Sequence, residues 1–70
     1  MADSVYVARE VIGVSSDSWE AAANNAIETA AKSVRDLRVG EVTRADVTIE
    51  DGKVANYRIR LNISFKYEQG

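Results

Sequence analysis

The chain contains no cysteine and no histidine, which removes thiol nucleophiles, imidazole acid–base chemistry and the usual zinc ligands together. It also lacks a Gly-rich phosphate loop and an EF-hand loop. What remains is eleven Asp and Glu, nine Lys and Arg and three Tyr. Paired-carboxylate catalysis needs two acids converging in a pocket, and ten of the eleven acids fit surface charge, helix caps or turns, so no enzyme is expected. Glu41 is the exception, because plain alternation puts it on the same strand side as Val39, Val47 and Ile49. A solvated strand residue or an interface ion pair competes there with a ligand role. Arg58, Arg60 and Lys66 form a basic row without interleaved aromatics on a chain of net charge −2. That pattern reads as a solvated or intersubunit face, not a nucleic-acid surface. Trp19, the only tryptophan, stands in register with Ala22, Ala23 and Ala26 and reads as a core or interface anchor.

The elements that place these residues follow from periodicity. Ser4 to Val14 is rich in Val, Ile and Tyr and predicts a strand ending near Gly13, apolar on both faces and hence covered on both. Asp17 and Glu20 have capping-box spacing at a helix start. From Trp19 to Arg35 the apolar positions Ala22, Ala23, Ala26, Ile27, Ala30, Ala31 and Val34 recur at helical spacing. Leu37 to Glu50 reads as a second strand whose first part breaks alternation, and Asp51-Gly52 supplies the strongest short hairpin signal. Val54 to Glu68 alternates almost without error, with Ala55, Tyr57, Ile59, Leu61, Ile63, Phe65 and Tyr67 on one side. The expected class is α+β, in the order β-α-β-β: a three-stranded antiparallel sheet wrapped around one helix, with residues 1–70 as one domain.

Size makes this arrangement awkward for a single copy. A strand of that length spans about 45–50 Å, whereas a compact globule of this size is about 30 Å across. An Ala-rich helix stripe buries little area, and disulfides are excluded, so oligomerisation is the remaining way to complete the interior. Hydrophobic residues make up 46% of the chain, with no run near the ~20 apolar residues that span a bilayer. The start Met1-Ala2-Asp3-Ser4 lacks the basic and apolar regions of a signal peptide. A cytoplasmic protein without membrane or nucleic-acid partners is expected.

Four segments in order carry a resemblance: Ile12-Gly13-Val14-Ser15, Ser18-Trp19-Glu20-Ala21-Ala22, Asp36-Leu37-Arg38-Val39-Gly40-Glu41-Val42, and Tyr57-Arg58-Ile59 through Ser64-Phe65-Lys66-Tyr67-Glu68. Together they resemble the dodecins over nearly the whole chain. The resemblance implies a small cytoplasmic protein assembled as a hollow homododecamer of cubic 23 symmetry, whose strands pair across subunits and which in many members stores flavins in pairs at two-fold axes. In flavin-binding members a Trp on the second strand stacks on the isoalloxazine, and a Gln on the third strand bonds the ring edge. Those positions are Val39 and Arg58 here. Valine cannot stack, and a guanidinium offers donors but no acceptor. The Thr-Ser-Trp-Glu-like helix entry, the Arg-Val segment and the Tyr-Arg-Ile third strand resemble the calcium dodecin branch more closely, which implies a flavin-lacking, Ca²⁺-binding assembly. Ca²⁺ takes six to eight oxygen ligands. Within that resemblance the candidate donors are Asp17 and Glu20 with the Ser15 and Ser16 hydroxyls, or Glu41 with Asp46. Ca²⁺ binding stands ahead of flavin storage, and a ligand-free structural assembly is a third reading.

Overall fold

The computed structural model describes residues 5–66, with the side chain of Lys66 left aside. Four elements follow in the expected order: β1 (Tyr6–Ser15), α1 (Trp19–Ala31), β2 (Leu37–Glu50) and β3 (Lys53–Lys66). All strand pairing is antiparallel and the spatial order is β1-β3-β2. The strand with the cleanest alternation is therefore the central one. Its clean alternation suits that place, because a strand paired on both edges presents one row of side chains to each face of the sheet. Ile59, Leu61 and Ile63 of β3 meet Ala22 and Ala26 of α1, and these five residues are the whole set of fully buried hydrophobics among the described residues.

The protomer is elongated, 55 × 20 × 13 Å with a radius of gyration of 14.6 Å, against about 11 Å for a compact chain of this length. Its long hairpin extends past what one 13-residue helix can cover. The turn at its tip has Asp51 and Gly52 both at positive φ, 52° and 74°, the type I′ signature that Asp-Gly favours.

Three local readings are corrected. The helix is capped by Ser18, not Asp17: the Ser18 backbone is extended and its Oγ accepts the Ala21 N–H at 3.0 Å. Asp17 instead donates its own N–H to Ser15 Oγ, and Glu20 remains as the acid in the first turn. The helix ends at Ala31, short of Arg35. Ser33 and Val34 both turn their N–H groups back to the Ala30 carbonyl, and Asp36 at φ 58° swings the chain into β2. Finally, β1 is covered by the helix on one side only within a protomer. Val7 and Val11 lie towards α1, while Ile12 and Val14 on the other face are about half exposed. The expected strand positions Ser4, Tyr67 and Glu68 lie outside the described residues.

β2 carries the consequential irregularity. Its pairing with β3 shifts between Val42 and Arg44, so Thr43 is an extra residue, and its hydroxyl donates to the Arg60 carbonyl at 3.2 Å. A single added residue reverses every following side chain. Plain alternation puts Glu41 and Asp46 on opposite faces, but the bulge brings both to the face away from the helix. There they share a surface with Arg58, Arg60 and Asn62.

Candidate ligand face

The helix-distal face is laid out in cross-strand rows by the register of three strands, since directly paired residues point to the same side. Ala8, Ser64 and Val39 form one row, and Glu10, Asn62 and Glu41 the next. Ile12, Arg60 and Arg44 follow, then Val14, Arg58 and Asp46. Apart from Glu10, aliphatic residues thus line the β1 side, while the two arginines of β3 hold the centre and Glu41, Arg44 and Asp46 the β2 side.

Arg58 and Asp46 form the best-defined contact. Arg58 Nε donates to Asp46 Oδ1 at 2.7 Å and its Nη2 donates to Oδ2 at 3.0 Å, a two-pronged pair at about 40% side-chain exposure. That hydrogen bond, helped by the charges of Arg58, Arg44 and Arg60 and partly opposed by desolvation, holds the Asp46 carboxyl below the usual carboxylate range. The same bond pushes the Arg58 guanidinium further up. The stability contributed by a depressed carboxylate is present above its unfolded pKa and is lost as pH falls through the folded value. Asp46→Asn should therefore lower the melting temperature at pH 6–7, and the gap between variant and wild type should close below about pH 4. Thermal melts of both proteins across that range check this. A gap independent of pH would place the effect outside the ion pair.

Asp46 is also held from beneath. The Trp19 indole N–H donates to its backbone carbonyl at 3.1 Å, and the Trp19 ring meets Tyr57 edge-on, centroids 5.1 Å apart at 74°. At 45% exposure Trp19 is not a core residue. It fastens the start of α1 to β2 and leaves half its ring open.

The other sequence-derived candidates divide between two places. Asp17 and Glu20 lie at the helix entry, where Ser15 Oγ is engaged by the Asp17 N–H. Glu41 and Asp46 share the distal face but stand opposite Asn62 and Arg58, four residues apart on β3 and hence about 13 Å from each other. The arginine row lies between them. Within one chain they do not form a joint site, and no three acidic side chains converge as a metal cluster among the described residues. Glu10 and Asn62, which sequence reading passed over, flank Glu41 through β3. Their signal was available only in the register, since neither residue is unusual for a strand taken alone.

Val39 is 60% exposed at the β2 edge. It stands opposite Ser64, six residues along β3 from Arg58, or about 20 Å away in the same chain. A single flavin ring could not touch both positions of one protomer.

An α+β chain that leaves a polar sheet face and two open edges unfinished belongs to the class of small proteins completed by copies of themselves. The Dodecin family model matches residues 5–68, and this chain is a member of that family. It is 43% identical over 63 residues to the calcium dodecin of Mycobacterium tuberculosis, covering 90% of this chain and 89% of the relative. Among solved structures, a dodecin from Streptomyces coelicolor superposes with a TM-score of 0.94 at 36% identity, each chain covered completely. The structure of the M. tuberculosis calcium dodecin, described as calcium chelating with a novel calcium-binding site, matches with a TM-score of 0.81 at 42% identity over 94% of both chains. The family resemblance read from the sequence, the β-α-β-β fold and the nearness to the calcium branch are thus shown.

Proposed function

We propose that this chain assembles as a dodecin-type homododecamer that binds Ca²⁺ as a non-enzymatic buffer or store in the cytoplasm, and that it does not hold stacked flavins. The observation that carries the reading is the state of the two ring-contact positions. Val39 offers no aromatic surface, and Arg58 is occupied by Asp46 in a two-pronged bond. The likeness to calcium dodecin supports Ca²⁺ as the alternative ligand. Among the candidate donors, Glu41 has oxygen-bearing side chains along its row, with Asn62 directly opposite it and Glu10 beyond Asn62 on β1. Three side chains are half of a calcium shell, so backbone carbonyls, water or a second copy would supply the rest. Asp17 with Glu20 is the competing donor pair, at the helix entry.

The test is the melting temperature of the assembled protein in millimolar Ca²⁺ and in chelator. At 100 times the dissociation constant Ca²⁺ should add about 2.7 kcal/mol of stability. Glu41→Gln should remove most of that gain, and Asp17→Asn should leave it intact. Equal melting with and without Ca²⁺ overturns the reading. Strong quenching of flavin fluorescence at one ring per subunit would favour flavin storage instead, and no response to either ligand would favour a purely structural assembly.

A further inference from the structure

The central row of the distal face carries a charge arrangement that the calcium reading does not use. Register pairing sets Arg44 directly opposite Arg60, and like charges at directly paired strand positions repel. Their neighbours relieve this only in part. Asp46 has both oxygens committed to Arg58, and Glu10 reaches Arg60 Nε only at 4.0 Å, beyond hydrogen-bond distance. Arg60 Nε is shielded from solvent by the protein and has no hydrogen-bond partner among the described residues, although part of the same side chain is open. Arg44 takes part in no ion pair or side-chain hydrogen bond among the described residues. Three guanidiniums therefore act around one committed carboxylate on a chain that is acidic overall.

Ile12, Arg44, Asp46, Arg58 and Arg60 enclose a depression of about 10 Å³, roughly the room of a single oxygen atom. One oxygen of a tetrahedral anion could enter while its others stayed outside against the Arg44 and Arg60 guanidiniums. Guanidinium groups suit that geometry because they present paired donors to phosphate oxygens.

We propose that the Arg44–Arg60 pair is a binding site for a phosphate group, with the unpartnered Arg60 Nε–H as its inner donor. The site lies one row from Glu41 and uses none of the calcium donors, although Glu10 of that neighbouring row comes within 4.0 Å of Arg60 Nε. Occupancy would relieve the repulsion between the two arginines and satisfy the buried donor in one step.

Melting of the assembled protein in chelator, with inorganic phosphate compared with chloride at equal ionic strength, tests this directly. Phosphate should raise the wild-type melting temperature by several degrees above chloride. Arg44→Gln should lose that phosphate-specific rise and yet melt higher than wild type in chloride, because its removal ends the repulsion. Arg60→Gln should lose the rise as well. Replacing inorganic phosphate with phenyl phosphate shows whether the site takes free phosphate alone or also a phosphate monoester. Equal melting in phosphate and chloride would overturn the proposal, as would a rise that survives both substitutions. If Arg44→Gln instead breaks the assembly into smaller species in sedimentation, the arginines are met by a neighbouring copy and the anion site is refuted.

Discussion

Gly13→Ala is expected to abolish folding. A Cβ built on Gly13 would lie 1.9 Å from the Ala22 carbonyl oxygen, 2.8 Å from its carbon and 2.9 Å from Ala26 Cβ. Two of the three obstacles are helix backbone, which no rotamer change can move aside. The helix would have to lift from β1, and Ala22 and Ala26 are the two residues through which it closes over Ile59, Leu61 and Ile63. Overpacking commonly costs about 1–3 kcal/mol and sometimes more. A Cβ driven to 1.9 Å from a backbone oxygen lies beyond that range, and a domain of this length has only about 4–10 kcal/mol in total to offset it. Circular dichroism and urea titration of the variant should show little helix and no cooperative transition. Gly40→Ala is the control. Its added Cβ would meet the flexible tip of Ile27 at 3.4 Å and otherwise ordinary contacts, so a loss under about 1 kcal/mol is expected. Native-like stability of Gly13→Ala would mean that the helix does not seat on β1 as described.

The fate of Gly13 shows where sequence reading stopped. Alternation, helix spacing and Asp-Gly were enough to order the elements and to identify Ile59, Leu61 and Ile63 as the inward row, because each is a local signal with one physical meaning. A glycine in a strand has several meanings. At Gly13 it read as a strand end, whereas β1 continues to Ser15 and the glycine is the floor on which α1 rests. Only the docked helix distinguishes these. The Thr43 bulge was equally hidden. The broken alternation in β2 was visible, but its position depends on pairing with β3, and it decides whether Glu41 and Asp46 face the same way. The resemblance to the dodecins identified Val39 and Arg58 as the altered ring positions, yet the bond that occupies Arg58 comes from Asp46, a residue considered only as a metal donor.

Val39→Trp combined with Arg58→Gln is expected to bind flavin well above the wild-type level. Each change restores the residue type that flavin-storing dodecins resemble one another in, and the two act differently. Tryptophan at the exposed β2 edge supplies a stacking surface, worth about 1–3 kcal/mol per ring by analogy with nucleobases. That corresponds to a roughly 5- to 150-fold gain in affinity. Glutamine at position 58 adds an acceptor and removes the guanidinium that Asp46 now holds. Val39→Trp alone should therefore gain part of the affinity, and Arg58→Gln alone almost none, since a ring-edge hydrogen bond without stacking competes poorly with water. The two positions are about 20 Å apart in one protomer, so a ring that uses both must take them from different copies. Quenching of riboflavin fluorescence should accordingly follow the assembled fraction from gel filtration and be missing from any dissociated protomer. Tight flavin binding by the unaltered protein would show that the ring can be held without an indole. Failure of the assembled double variant to bind would mean that the distal face is closed to a ring for reasons beyond these two residues.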